Sequence, residues 1–275
     1  MSTSPTEFEK FLLKEYFRLG SINKVFTAHH LDLPISFAGY ARLLTKFSII
    51  KSAGPNSRFS ESLDILTKLS SYKIPLEKVY HRFAPRRIQV SVNTLHRILH
   101  YTRLGLTRRQ GTALLITSSQ DSQSFLTGRE QNTPNSQLGK RGDLALPMGH
   151  SRTGENPRDA IVRVLQQEVF TDQTIEGHFP WKIVPDHPQP VMYISIADIK
   201  VTVYHLIFDH DFQFSSFKLN TLKYRNLNRL LTDNLRPGIE DILKQHAGLL
   251  KNTKRITVPE FSSKLNLALL KVKDS

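Results

Sequence analysis

Residues 146–170 read LPMGHSRTGENPRDAIVRVLQQEVF, and they predict a polar loop that leads into a helix. Asn156 is a favourable helix N-cap, and Pro157 suits the first helical position because no N–H donor is needed there. Asp159 lies in the first turn, where the helix dipole favours an anion. The apolar residues that can face a sheet are Ala160, Ile161, Val164, Leu165 and Val169. We therefore expect a helix from about residue 157 with one apolar face and a separate polar side.

The spacing of the stretch resembles the Nudix box. In that box a glycine is followed after five residues by a glutamate, and after seven more by Arg-Glu-apolar-x-Glu-Glu-x-Gly. The residues in register with this pattern are Gly149, Glu155, Arg163, Leu165 and Glu168. The resemblance covers residues 149–171 and implies a Nudix α/β/α sandwich that handles nucleotide-type pyrophosphates with Mg²⁺ or Mn²⁺. It implies catalytic roles for Glu155, Arg163 and Glu168, and ligand contacts for Gly149 and Gln167.

Several box positions depart from the pattern. The three glutamates of the box segment, which in the family hold the divalent cations, correspond here to Val164, Gln167 and Glu168. Magnesium prefers carboxylate oxygens, so a valine offers nothing and a glutamine only a neutral carbonyl. Two glycine positions are also replaced, by Met148 and Phe170. We expect weak or absent hydrolysis, and a reshaped loop and helix end.

Short apolar runs predict the strands of this domain. They are residues 112–117 and 124–127 before the box, and residues 191–199 and 201–208 after it. Asp209 and Asp211 follow the last strand and are either replacement metal ligands beside Glu168 or solvated turn residues. A closing helix is expected from Pro237. These features place the Nudix-like domain at residues 109–250, followed by a basic tail over 251–275.

Positive charge is concentrated before this domain. The chain has 38 Lys and Arg against 24 Asp and Glu, which gives a formal net charge of +14. Residues 1–110 contain 18 basic and 7 acidic residues, so 18 − 7 = +11 lies there and +3 remains for the rest. Such concentration is typical of nucleic-acid binding, with a solvated basic face as the alternative.

The first 60 residues resemble a winged-helix DNA-binding unit. Helical spacing over 6–19 ends at Gly20, Ser21 caps a short second helix, and the period returns over 36–46. Residues 49–59 look like two short strands around a turn, as in a wing. A plain three-helix packing module has the same pattern. If the unit binds DNA, the third helix offers groove contacts and the wing offers phosphate contacts. These candidates are Ser36, Tyr40, Arg42, Lys46, Lys51 and Arg58.

A second, weaker helical unit is predicted over residues 61–108. It has helices near 61–71 and 75–83, a basic turn with Arg86 and Arg87, and a helix capped by Ser91 that exposes Arg97. These three arginines are further DNA-contact candidates. His96 and His100 have the i, i+4 spacing of a helical metal pair but lack the accompanying glutamate, so packing or backbone contact is the alternative.

Composition excludes several classes of protein. The chain has no cysteine, so disulfide frameworks, thiolate zinc sites and cysteine nucleophiles are excluded. The N-terminus lacks a signal-peptide profile, and no run of about 18 apolar residues occurs. We expect a soluble, cytoplasmic α+β multidomain protein with no membrane partner.

Three functions are compatible with these features. The first is a DNA-binding regulator whose Nudix-like domain senses a nucleotide-like ligand or mediates dimerisation, with a homodimer as one possible state. The second is an active hydrolase that cleaves a nucleoside diphosphate derivative through Glu168, Glu155 and the later loop. The third is a scaffold that makes protein contacts only. The lost carboxylates and the charge asymmetry favour the regulator.

Overall fold

Three capped helices form the N-terminal unit. The computed structural model describes residues 4–52, 65–71, 75–83, 90–131, 142–209, 212–250 and 257–271. The first helices are α1 (Glu7–Leu19), α2 (Ile22–Ala28) and α3 (Phe37–Lys46). Thr6, Ser21 and Ser36 each accept a hydrogen bond from a backbone N–H of the first turn. Gly20 ends α1 with a φ of 79°, so the predicted start and stop signals are confirmed.

The predicted wing over residues 49–59 is not formed in its described part. Residues 49–52 contain no strand, and residues 53–59, including Arg58, lie outside the described residues. The backbone of 48–52 is instead bound by side chains, with Tyr16 Oη accepting from Ser52 N at 2.8 Å. This segment leads from α3 onto the central domain.

The second helical group shares the core of the sheet domain. It consists of α4 (described over 65–71), α5 (Leu76–Phe83) and α6 (Val92–Arg103), whose N-cap is Ser91 as predicted. Apolar side chains of α4, α5 and α6 form one cluster with one face of the sheet. None of the helices in the described part of the chain has the length and apolarity needed to cross a bilayer. The limits of separate domains at residues 60 and 108 stay a prediction.

Eight strands of the described residues form one mixed sheet at the centre of the molecule. Its strands are β1 (Arg109–Ser118), β2 (Asp121–Glu130), β3 (Leu144–Ala145), β4 (Met148–Ser151), β5 (Met192–Ile196), β6 (Ile199–Phe208), β7 (Leu219–Asn226) and β8 (Glu260–Ser262). The order is β3-β2-β1-β6-β5-β8, with β4 also paired to β1 and β7 to β2. β1 and β6 are parallel, and their ten-residue register runs from Arg109 opposite Ile199 to Ser118 opposite Phe208.

Successive side chains of β1 point to opposite faces of the sheet and pack into a different hydrophobic cluster on each face. Ala113 and Leu115 join the cluster that includes α4–α6, whereas Leu114 and Ile116 pack with α7 (Pro157–Glu168) on the opposite face. The remaining helices are α8 (Thr171–Ile175), α9 (Leu227–Leu230), α10 (Ile239–Leu250) and α11 (Lys264–Leu269), with a 3-10 turn at Trp181–Ile183. This places helices on both faces of the sheet.

The predicted basic tail is wrong for the described residues 257–271. β8 pairs in parallel with β5, and α11 carries Leu265 and Leu269 into the core next to α6. Asn266 bridges to the β5–β6 turn, where its side chain accepts from Ala197 N and donates to Ala197 O. The prediction missed β8 and α11 because these elements are too short to show a clear hydrophobic periodicity.

We predict that Leu269→Ala lowers the free energy of unfolding by about 2–5 kcal/mol, because it leaves a cavity at a fully buried site. Leu267→Ala is the matched control on the same helix, since Leu267 is 53% exposed, and it should change stability by less than about 0.5 kcal/mol. Urea unfolding of both variants measures the difference. Equal, small effects would show that α11 is a frayed tail after all.

Candidate functional site

The box loop and helix form as the sequence predicts. β4 carries Gly149 and pairs antiparallel with β1, so the start of the box is a strand held against the sheet. Asn156 caps α7 by accepting from Arg158 N, and Pro157 occupies its first turn. α7 ends at Glu168, and Phe170, which replaces the last box glycine, is fully buried among Phe179, Phe208 and neighbouring aromatic rings. That replacement therefore fills a core and reshapes the helix end.

Arg163 and Glu155 form a buried bidentate ion pair. Arg163 Nε and Nη2 each donate to a different Glu155 oxygen at 2.9 Å, and the two side chains are 1% and 7% exposed. Glu155 Oε2 also accepts from Arg152 N at 3.2 Å, so the carboxylate ties the loop to the helix. Both residues were predicted as catalytic. In the structure their bidentate ion pair holds the box loop against the helix.

The polar side of α7 is covered, contrary to the expectation of an open ligand-binding side. Every residue of α7 from Ala160 to Glu168 is buried. Gln166 Oε1 accepts from Ile50 N at 3.0 Å, and its Nε2 donates to Ser48 O at 2.9 Å. Gln167 Nε2 donates to Ile50 O at 3.5 Å. Two adjacent glutamines thus bind the segment 48–50, and they attach the N-terminal unit to the box helix.

Glu168 is paired with Lys218, which lies directly before β7. Lys218 Nζ lies 3.1 Å from Glu168 Oε1 and 3.1 Å from Gln167 Oε1. Glu168 Oε2 accepts from Met148 N at 3.3 Å, and its side chain is 5% exposed. Ser215 positions the lysine segment, because it donates to Val169 O and accepts from Thr171 N at the end of the helix. A fixed ammonium therefore compensates the remaining box carboxylate.

The donor set does not fit Mg²⁺ or Mn²⁺. Val164 is buried and apolar, Gln167 is engaged by neutral and cationic partners, and Glu168 carries the lysine. Asp209 is exposed at the end of β6, and Asp211 lies outside the described residues. Among the residues with a described position, no group of three or more His, Asp and Glu could hold a metal ion. A divalent cation at Glu168 would meet an ammonium group instead of further carboxylates.

The groove beside Gly149 is nearly closed. It has a volume of about 10 Å³, and its lining includes Met148, Ile199, Val201 and Arg236. Such a space holds at most about one water molecule, so a nucleotide does not fit against the predicted ligand-binding glycine. Desolvation, reinforced by nearby arginines, lowers the pKa of His150 in this groove to about 4, which leaves the ring neutral at pH 7.

The predicted DNA-contact residues of α3 do not share one exposed face. Tyr40 is fully buried and its hydroxyl donates to Leu12 O, so its predicted role in groove contact is wrong. Ser36 caps α3, and Lys46 forms an ion pair with Glu9 at 2.6 Å. Arg42 is exposed. Helical spacing identified the apolar stripe but not which polar positions stay accessible.

The other predicted contacts are dispersed. Lys51 is half-buried and its carbonyl accepts from Arg152 Nη2 at 3.1 Å, while Arg97 is exposed on α6. Arg58, Arg86 and Arg87 lie outside the described residues. His96, considered as one half of a metal pair, is hydrogen-bonded to Glu77. The sequence-based DNA hypothesis therefore keeps Arg42, Lys46, Lys51 and Arg97 as described surface candidates.

No protein-family model matches this chain, and no curated protein matches it.

Solved structures similar to this chain are Nudix hydrolases that cover about half of it. The MutT protein from Methanosarcina mazei Go1 is 16% identical, with a TM-score of 0.38, over 54% of this chain and 98% of that one. A C. elegans Ap4A hydrolase is 13% identical, with a TM-score of 0.37, over 52% of this chain and 98% of that one. An ADP-ribose pyrophosphatase from Streptococcus suis is 14% identical, with a TM-score of 0.37, over 56% and 99%. The likeness concerns the fold alone.

Two residues of this site were not found from the sequence. Lys218 lies 50 positions after Glu168, and Gln166 occupies a box position without a prescribed residue type. The adjacent pair Gln166-Gln167 on the polar side of a predicted helix was a signal for backbone binding, because an amide both donates and accepts. Nothing in the local sequence indicates which lysine neutralises Glu168.

We predict that Lys218→Met lowers the free energy of unfolding by about 3 kcal/mol, because it leaves the buried Glu168 carboxylate without its counter-charge. Combining it with Glu168→Gln should restore part of the loss, since no buried charge then remains. Lys200→Met is the control, because its pair with Glu260 is exposed and should contribute less than about 1 kcal/mol. Urea unfolding at pH 7 compares the variants, and a loss for Lys218→Met no larger than that for Lys200→Met would contradict the role of the pair.

Proposed function

We propose that the Nudix-like domain binds a phosphorylated, nucleotide-type ligand and does not hydrolyse it by a metal-dependent route. The observation that carries this proposal is the Lys218 ammonium beside Glu168 and Gln167. The box resemblance, from Gly149 to Glu168, supports the ligand class. The replaced carboxylates and the fixed ammonium oppose the chemistry that the same resemblance implies.

Metal-dependent hydrolysis needs a cation that clamps the phosphates and activates water. With a single carboxylate already paired, the helix provides too little negative oxygen to attract a divalent ion against the repulsion of the neighbouring ammonium. The covering segment 48–50 also occupies the side of α7 from which water and ligand would approach. The same changes that stabilise this helix internally thus remove its catalytic chemistry.

Hydrolysis of a nucleoside diphosphate derivative is the second candidate function. It is favoured by the retained Glu168 and by the Arg163–Glu155 pair, which keeps the box loop in place. The similar solved structures are named as hydrolases of nucleotide compounds. In this reading a metal ion would displace Lys218 from Glu168, and Asp209 and Asp211 would complete the ligand set.

We predict background phosphate release when the full chain is incubated with ADP-ribose or diadenosine tetraphosphate and Mg²⁺ or Mn²⁺. Calorimetric titration with the same compounds in EDTA should still show binding. Turnover that Glu168→Gln abolishes would establish the hydrolase instead. Absence of both turnover and binding would contradict both candidates.

DNA binding by the N-terminal half is a separate part of the regulator hypothesis. It rests on the net charge of +11 in residues 1–110 and on the exposed Arg42 and Arg97. Several other basic residues in this region are paired internally, such as Lys10 with Glu176, and Arg108 and Arg109 with the buried Asp198. The positive charge that is available to DNA is therefore smaller than the net charge of residues 1–110 indicates.

We predict that the logarithm of the duplex affinity of the full chain, measured by fluorescence anisotropy, falls linearly with the logarithm of salt concentration, because bound phosphates release counterions. Arg42→Ala should lower the slope by about one if the arginine contacts a phosphate. Lys182→Ala, an exposed residue of the 3-10 turn, is the control. The absence of duplex binding at low salt would remove DNA from the proposal.

A further inference from the structure

A basic cleft lies at the edge of the sheet, where β7 pairs with β2 and leads into α9. Its volume is about 880 Å³. The charged side chains in its lining are Arg129, Lys223, Arg225, Arg229 and Asp233. Four cations therefore face one carboxylate, whereas the whole chain after residue 110 has a net charge of only +3. The cleft therefore has a local excess of positive charge that the net charge counted along the sequence does not show.

Arg225 is fixed in the cleft by neutral acceptors. Its Nη1 donates to Thr127 O at 2.5 Å and to Thr127 Oγ1 at 2.9 Å, and its Nη2 donates to Thr221 O at 2.9 Å. Thr221 has a φ of 48°, an uncommon conformation for a β-branched residue, and its carbonyl is one of these acceptors. The guanidinium is thus rigidly placed, and the salt bridges found among the described residues include none that neutralises it.

Arg129 adds a second guanidinium to the same space. A bulge in the β2–β7 pairing lies between Thr127 and Arg129, and it includes Gly128, where a Cβ atom would lie 2.7 Å from Leu219 Cβ. Arg129 Nη1 donates to Gly142 O at 2.7 Å. Burial and then the nearby Arg129 lower the pKa of Arg225, whereas Asp233 raises it. The two arginines therefore repel each other, and an anion between them would relieve that repulsion.

Lys223 and Arg229 form the exposed part of the lining. Neither takes part in a salt bridge with any residue of the described chain, so both ammonium and guanidinium groups remain available to an anion. Asn226 and Asn228 add amide groups. The combination of forked arginine donors with amide groups suits a phosphorylated ligand.

We propose that this cleft binds the phosphate groups of a small polyphosphorylated ligand, either a nucleotide or inorganic pyrophosphate. Its volume lies within the range of small-molecule sites, about 300–1,000 Å³. The inference deepens the proposed function, on which it rests for the ligand class, and it gives the ligand a place that the closed groove at Gly149 does not. None of the cleft residues belongs to the pair Glu168–Lys218 or to the glutamine contacts of α7.

The test is a calorimetric titration of the full chain with pyrophosphate and, separately, with ADP, in EDTA at fixed ionic strength. The wild-type chain should bind at least one of them. Lys223→Glu/Arg229→Glu should weaken binding by about 100-fold, since each lost charge-assisted hydrogen bond is worth roughly tenfold or more in Kd. Both side chains are exposed, so the fold should be retained, which circular dichroism checks. Tighter binding of ADP than of pyrophosphate would assign contacts to the base and ribose.

The control is Lys24→Glu/Lys182→Glu, which makes the same change in net charge at two exposed residues outside the cleft. It should leave both affinities within about twofold. Equal weakening by the two double variants would overturn the proposal, because diffuse charge would then explain binding. Binding of an oligonucleotide but of neither small ligand would overturn it as well. The cleft proposal would be contradicted, and the proposed function kept, if Lys218→Met removed ligand binding while the cleft variants left it unchanged. Metal-dependent turnover would contradict the proposed function alone.

Discussion

The ion pair between Glu168 and Lys218 determines what the box helix can do. A carboxylate that is 5% exposed needs a compensating charge, and in a metal-dependent hydrolase that charge would be an exchangeable divalent ion. Here the charge belongs to the chain itself, because Lys218 supplies it. The polar side of the helix is covered by residues 48–50 and 215–218.

The side chain of Gln167 links Lys218 to the N-terminal unit. Its amide oxygen accepts from Lys218 and its amide nitrogen donates to Ile50 O. A glutamate could accept from the lysine but could not donate to the carbonyl. Together with Gln166, which pairs with both Ser48 and Ile50, it joins α7 to the segment 48–50. The pairing of Lys218 and the attachment of the N-terminal unit thus depend on the same side chain.

Local signals in the sequence predicted the elements well, and tertiary relations poorly. The caps Ser21, Ser36, Ser91 and Asn156 begin helices where expected, because capping depends on a few adjacent residues. Tyr40 was misassigned because a helical period identifies a face without its partner, and the core of the three-helix unit took that face. The C-terminal strand and helix were missed because three and six residues show too little periodicity. The candidate site was only half predictable, since Lys218 is near Glu168 only in space.

The position of the charges in space also differs from their distribution along the sequence. Counting residues placed most of the positive charge in the first 110, yet Arg108 and Arg109 both pair with Asp198, and Lys46 pairs with Glu9. The cleft at β7 gathers four cations in a region whose net charge is small. Because charges interact effectively only within about 8–10 Å at physiological salt, an anion responds to this local group and not to the total. The local arrangement of charged side chains, and not the net charge of the chain, therefore determines where an anion would be attracted.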